Sequence, residues 1–197
     1  MTTFPRRMLG AAALNRRIYE EVEADGGATG QAVGVVLLAS VAGGIGLLGL
    51  GVPSSQALVS GIVGAFVAWT AWASLTYLIG TKLLPEPQTQ ADVGQLLRTT
   101  AFASAPGVLR LLGVIPFIGL TVYAIASVWM LLAMIVAVRQ ALDYRSTGRA
   151  VGVCLVGWAL SLVIAAIIGI LFAPSVSWRA RHRIRKGITR KDWLTRP

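Results

Sequence analysis

The chain has 197 residues, of which 55% are hydrophobic and only 13% are charged, and its mean hydropathy is +0.71. Soluble domains carry about 25% charged residues, so this composition excludes an ordinary soluble globular protein and equally a disordered one. Eighteen Lys and Arg against eight Asp and Glu give a net charge of +10. One Cys and one His exclude a disulfide framework and a zinc cluster within one chain. The sequence indicates an all-α integral membrane protein.

Residues 1–25 form an N-terminal segment with its own pattern. Apolar side chains recur at spacings of three, four and seven residues between Phe4 and Val22. Two arginine pairs, at positions 6–7 and 16–17, flank this stripe. We predict one amphipathic helix that lies at the membrane surface.

A stretch without any charged residue then covers positions 26–81, 56 residues in all. A helix needs about 20 apolar residues to cross the hydrocarbon core of a bilayer, so this stretch must hold two crossings and a turn. Gly51 and Pro53 predict the position of the turn, because glycine ends helices and proline cannot continue them. The spans are expected near 30–51 and 57–80.

Small residues four positions apart recur in both of these spans. Gly30 with Gly34 and Gly61 with Ala65 are pairs that permit two helices to approach closely. Such pairs either pack helices within one bundle or join two copies of the chain, and packing within the bundle is the favoured interpretation.

The third apolar segment, near 99–115, is interrupted. Pro106 and Pro116 divide it, and Arg110 is the one charge near membrane depth. The segment is either a short, kinked crossing or a re-entrant segment buried against other helices. Arg110 either reaches a helix end with its long side chain, the favoured interpretation, or serves a ligand.

Two further spans, near 118–139 and 150–173, complete a predicted bundle of about five membrane-embedded segments over residues 26–173. No Asp, Glu, His or Lys lies inside any clean span. Proton relays and ion-coupled transporters usually need such residues at depth. We therefore predict neither catalytic residues nor a metal or cofactor site, and no enzymatic activity.

Residues 174–197 form a basic C-terminal tail. It holds eight Lys and Arg against one acidic residue, Asp192. Each basic residue near an anionic bilayer is worth about 1 kcal/mol. The tail is expected to bind anionic lipid head groups or an acidic partner, and a nucleic acid is not expected, because no aromatic stacking platform accompanies the charge. The predicted contact residues are Arg179, Arg181, Arg183, Arg185 and Lys186.

An ordered set of fragments resembles the Yip (Ypt-interacting protein) domain family, in its bacterial branch. The fragments are TyrGluGluValGluAlaAsp (19–25), TrpAlaSerLeuThrTyrLeuIleGlyThrLys (72–82), AlaPheAlaSerAlaProGly (101–107), IleProPheIleGly (115–119) and the run from ValTrpMet to AlaLeuAsp (128–143). The resemblance covers about residues 8–172 and implies five spans with a cytoplasmic N-terminus. Eukaryotic members bind Rab-type GTPases and shape or sort membranes; the family supplies no catalytic residue.

The distribution of basic residues tests this topology. With five spans, Lys and Arg sum to nine on each side of the membrane, whereas without the tail the N-terminal side holds nine against one. In that second count the positive-inside rule favours a cytoplasmic N-terminus. If residues 99–117 do not cross, the tail joins the N-terminus inside, with 15 basic residues against 3. The expected location is a bacterial inner membrane. The favoured function is a non-enzymatic scaffold or organiser that contacts lipids, other membrane proteins or itself. The alternative is a small transporter or channel-like protein that uses the proline-broken residues 99–119.

Overall fold

The computed structural model describes residues 3–49 and 55–172, and in these residues it contains seven α-helices and no strand. The helices are α1 (Phe4–Ala12), α2 (Arg16–Ala24), α3 (Thr29–Gly49), α4 (Ser55–Leu78), α5 (Val93–Phe102), α6 (Gly119–Ala141) and α7 (Thr147–Phe172). Residues up to Gly157 form one compact unit, and a second unit begins at Trp158. The all-α class predicted from the sequence is confirmed.

The N-terminal segment is a hairpin of two helices, so the prediction of one continuous amphipathic helix was wrong. Leu14 takes a left-handed conformation with φ of 58°, which reverses the chain after α1. The side chain of Asn15 then caps α2 by accepting a hydrogen bond from the amide of Arg17 at 3.1 Å. Gly10 lets the two helices meet, because a Cβ there would lie 2.6 Å from Cγ1 of Ile18.

Helix α4 continues into a π-helical segment, Ile79–Leu83. A π-helix leaves backbone groups that the α-helical ladder would satisfy, and these need other partners. The hydroxyl of Tyr144 shares its one proton between the carbonyls of Gly80, at 2.9 Å, and Leu84, at 2.7 Å. The end of α4 is thereby fastened to the turn between α6 and α7.

The third apolar segment starts earlier than predicted and is broken where proline requires it. Helix α5 begins at Val93, where Asp92 and Gln95 form a reciprocal capping box. It ends at Phe102, four residues before Pro106, whose ring excludes a continued α-helix. The chain proceeds as a 3-10 helix, Ala105–Val114, and Pro116 lies in the turn before α6.

This broken segment runs alongside α3 in the same direction and against α6. A Cβ on Gly107 would meet Ala39 of α3, and one on Gly49, at the end of α3, would meet Val114, at the end of the 3-10 helix. The same face of Gly107 meets Met130 of α6. Two apolar clusters fill the interior, one centred on Tyr19 and Phe102 and the other on Leu96, Leu142 and Val153.

Two stretches of the described chain are long and apolar enough to cross a membrane. These are Gly26–Gly49, with a mean hydropathy of 2.2, and Gly119–Ala141, with a mean hydropathy of 2.3. A shorter apolar stretch is Thr147–Ser161. The turn predicted around Gly51 and Pro53, and the basic tail, lie outside the described residues.

Candidate functional site

A buried arginine of α1 ties the two helices of the hairpin together and connects them to α3. Arg7 is 2% exposed, and its Nη2 lies 2.8 Å from Oε1 of Glu21 and 2.8 Å from Oδ2 of Asp25. Its Nη1 donates to Oε1 of Gln31 in α3 at 3.1 Å. Burial works against the charged guanidinium, but the hydrogen bonds to Glu21 and Asp25 outweigh it and raise the pKa of Arg7.

Side chains of the bundle bind backbone atoms of the hairpin as well. Arg98 of α5 donates to the carbonyls of Val22, at 3.0 Å, and Glu23, both near the C-terminal end of α2. A cation at a helix C-terminus is favoured by the helix dipole and by the free carbonyls there. Trp129 of α6 donates to the carbonyl of Ala12 at 2.7 Å. The hairpin is therefore held at both of its ends.

The outer surface of the hairpin is basic. Arg6, Arg16 and Arg17 are exposed, and none of them has an ion pair in the described part of the chain. Leu9 is 68% exposed beside them. Arg6, Leu9 and Arg17 line a surface groove between α1 and α2. We call Arg6, Leu9, Arg16 and Arg17 the hairpin surface.

Acidic side chains crowd around Glu23, near the end of α2. Burial, and then the carboxylates of Asp143 and Glu20, raise the pKa of Glu23 to about 7, although Arg98 acts in the opposite direction. Glu23 thus changes charge near neutral pH, next to the bond that Arg98 makes with its backbone.

This raised pKa predicts a pH dependence of stability. The unperturbed carboxyl titrates at 4.5, so between pH 4.5 and about 7 the folded protein binds more protons than the unfolded chain. We expect the melting temperature to fall as pH rises through this window, and Glu23→Gln to remove that part of the slope. Glu86→Gln is the contrast, because a backbone hydrogen bond from Arg145 lowers the pKa of Glu86 and places its effect at more acidic pH. An unchanged slope in Glu23→Gln would contradict the assignment.

The connector between α4 and α5 is in contact with the turn between α6 and α7. Glu86 accepts a hydrogen bond from the amide of Arg145 at 3.0 Å and lies 3.5 Å from Nε of Arg149. Gln88 donates to the carbonyl of Asp143 at 3.2 Å. The two turns therefore lie at the same end of the bundle.

Arg110 lies near the other end of the bundle, between α3 and α6. Its guanidinium carbon is 4.8 Å from the centroid of the Tyr123 ring, and its Nη2 donates to Oγ of Ser127 at 2.8 Å. Tyr123 and Ser127 are four and eight residues into α6, or about 6 and 12 Å along its axis. The guanidinium thus packs against α6 at these positions, and both predicted roles of Arg110 stay predictions.

A cavity of about 330 Å³ adjoins this arginine. Ser40 of α3, Trp69 of α4 and Ser104 of the proline-broken segment line it together with Arg110. The rest of the wall is mostly apolar, including Met130 of α6. Few polar groups in a mostly apolar wall are typical of small-molecule sites.

The family model of the Yip1 domain matches residues 11–168, which is well over half of the chain. The chain belongs to the Yip1 domain family. The match extends from Ala11 in α1 to Ile168 in α7, so Arg7 and the basic tail lie outside it. No curated protein and no solved structure matches the chain. Its place in a bacterial branch stays a prediction.

As a Yip1 domain protein, the chain is a membrane protein of a family not known for enzymes.

Two of the predicted helix-packing residues lie away from close contacts. A Cβ on Gly30 would meet nothing within 4 Å, and one on Gly34 would make only an ordinary contact with Phe4 at 3.8 Å. The close approach of α3 occurs instead at Gly46 and Gly49.

The remaining predicted residues divide in three ways. Pro106 is buried where α5 gives way to the 3-10 helix, and Pro116 is exposed in the following turn. Ala65 lines the cavity beside Arg110, and Gly61 lies one turn earlier in α4. The predicted lipid or partner contacts in the tail lie beyond the described residues.

Sequence patterns missed the role of Arg7. The only signal was the pair of Arg6 and Arg7, fourteen residues before Glu20 and Glu21. That spacing becomes a contact only when the chain reverses at Leu14, and Asn15 as a helix cap was the available clue to that reversal.

Proposed function

We propose that this protein is a non-enzymatic membrane scaffold that crosses the bilayer five times and gathers anionic lipids or acidic partners on its hairpin surface. The observation that carries the proposal is the fixed position of that surface. Arg7 and Arg98 hold the hairpin on the bundle, while Arg6, Arg16 and Arg17 stay exposed. Positive charge on a rigid element attracts anionic head groups without first having to be ordered.

The expected strength of this attraction is modest. Three arginines at about 1 kcal/mol each give about 3 kcal/mol at an anionic surface, and physiological salt screens charges beyond about 8 Å. This free energy is enough to enrich anionic lipid around the protein. It is too small to keep one lipid molecule bound for long. The basic tail, with eight more Lys and Arg, is expected to add to the same effect on the side that it faces.

Lipid enrichment tests this function directly. The full chain, labelled on a cysteine at position 90 in a Cys154→Ala background, is reconstituted with fluorescent phosphatidylglycerol, and energy transfer reports local enrichment. We expect Arg16→Gln with Arg17→Gln to lower the transfer. Lys82→Gln with Arg145→Gln is the matched control, because it removes the same charge from exposed positions elsewhere. Equal transfer in both double variants, or equal transfer to a neutral lipid, would count against the proposal.

The contact between the two connecting turns supports five crossings. Because Glu86 and Gln88 bind the backbone at Arg145 and Asp143, residues 86 and 145 lie on one side of a membrane. The chain between them must cross an even number of times, so the proline-broken segment crosses together with α6. Helices α4 and α7, of 24 and 26 residues, are long enough for the remaining crossings next to α3.

Cysteine labelling decides this topology. A cysteine for the loop before α3 belongs at position 26. Ala28 is fully buried, whereas Gly26 has open space around it. We expect cysteines at 26, 90 and 146 to react from one side of the membrane and one at 190 from the other. If the third segment did not cross, the cysteine at 146 would react from the side opposite to 90.

The cavity beside Arg110 favours a second candidate, a small transporter or channel-like protein. Proline-broken helices line substrate sites in many transporters, and the segment of Ser104 and Arg110 is such a helix. Solute flux into proteoliposomes that stops on Pro106→Ala, with the protein still folded, would replace the scaffold proposal with this one.

A further inference from the structure

Arg110 is a charge without a counter-ion in the described part of the chain. No carboxylate there lies within 4.0 Å of it, and its side chain donates one hydrogen bond, to Ser127. Its Nε is buried and has no hydrogen-bond acceptor among the described residues. Seven of the eight acidic residues of the sequence lie at positions 20–25, 86–92 and 143, and the eighth is Asp192.

Placing a guanidinium between apolar helices without a counter-ion costs free energy, because the charge loses its hydration. A buried N–H without an acceptor points to a water or an ion that completes the site. The aromatic ring of Tyr123 and the hydroxyl of Ser127 offset only part of the charge. The planar guanidinium matches the oxygens of a phosphate group, which can accept two hydrogen bonds from it.

The surroundings of Arg110 indicate where such a phosphate comes from. The cavity that adjoins Arg110 has a mostly apolar wall, which includes Val36 and Ala39 of α3 and Met130 of α6. An apolar cavity beside a half-buried cation accommodates an acyl chain below a head group. A free phosphate would gain nothing from this apolar wall.

We propose that Arg110 binds the phosphate group of one membrane phospholipid, one acyl chain of which enters the adjoining cavity beside Val36, Ala39 and Met130. The inference rests on the membrane placement in the proposed function but not on the scaffold role of the hairpin. Ser127 positions the guanidinium by accepting its hydrogen bond.

Native mass spectrometry of the full chain, stripped of loosely bound lipid, tests the site. We expect the wild type to retain one phosphatidylglycerol and Arg110→Gln to bind it at least about tenfold more weakly, the loss that a charge-assisted hydrogen bond represents. Arg145→Gln removes an exposed charge at the other end and should retain the lipid. Arg16→Gln with Arg17→Gln should also retain it, so failure of the hairpin proposal and failure of this one are distinguishable.

Further measurements distinguish a phospholipid site from a free-phosphate site and from an ion pair with Asp192. If Arg110→Gln does not fold, Arg110→Lys keeps the charge without the planar geometry, and lipid retention equal to the wild type would overturn the proposal. Inorganic phosphate alone should leave the melting temperature unchanged. A rise that requires Arg110, with lipid retention independent of Arg110, would show a free-phosphate site and overturn the lipid assignment. Loss of stability in Asp192→Asn that disappears in the Arg110→Gln background would identify Asp192 as the counter-ion and overturn it too.

Discussion

Replacing Arg7 with methionine should separate α1 from α2 and loosen the N-terminal hairpin from α3. The substitution keeps the apolar part of the side chain but removes its hydrogen bonds to the carboxylates of Glu21 and Asp25 and to Gln31. Loss of one partner of a buried ion pair costs about 3 to 5 kcal/mol, and because Glu21 and Asp25 are 29% and 22% exposed we expect about 2 to 3 kcal/mol here. Hydrogen exchange of the amides in residues 4–24 measures the opening.

The neighbouring arginine is a matched control for this prediction. Arg6 has the same side chain in the same turn of α1, but it is exposed and has no ion pair in the described chain. Arg6→Met should therefore leave exchange in the hairpin close to that of the wild type. Exchange as slow as the wild type in both variants would mean that Arg7 does not hold the hairpin, and that its apolar contacts through Tyr19 and Val22, with the bonds from Arg98, do.

The sequence predicted the parts of this fold that depend on local composition. Charge-free stretches located α3 and α6, because a run of apolar residues long enough for a membrane leaves few alternatives to a helix. The break at Pro106 followed from the chemistry of the proline ring. The start of the third segment was predicted six residues late, since Val93 to Arg98 is polar enough to look like a connector until Asp92 is recognised as its cap.

The candidate site depends on contacts between residues that are far apart in the sequence, and sequence patterns do not predict such contacts. Arg7 and Glu21 are fourteen residues apart, and Arg98 and Val22 are 76 apart. Glycine pairs raised the same difficulty. The small-xxx-small pattern marks Gly30 and Gly34 as clearly as any other pair, but which face of α3 meets another helix is decided by the path of the 3-10 helix.

The close contact between the 3-10 helix and α3 predicts that Gly46→Ala destabilises the protein strongly. A Cβ on Gly46 would lie 2.1 Å from the carbonyl oxygen of Arg110 and 3.1 Å from its carbonyl carbon. Both atoms belong to the backbone of the 3-10 helix, so the clash cannot be relieved by turning a side chain. The two segments must separate, and we expect a loss of at least about 2 kcal/mol and a lower melting temperature in detergent.

Gly30→Ala in the same helix is the control. A Cβ at Gly30 meets nothing within 4 Å, and alanine in a helix is favoured over glycine by about 0.5 to 1 kcal/mol, so this variant should melt at or above the wild-type temperature. Because the clash at Gly46 displaces the backbone of Arg110 itself, Gly46→Ala should also weaken the retained phospholipid, whereas Gly30→Ala should not. If both variants melted like the wild type, α3 and the 3-10 helix would not be in contact at Gly46, and the bound lipid would have to be held elsewhere.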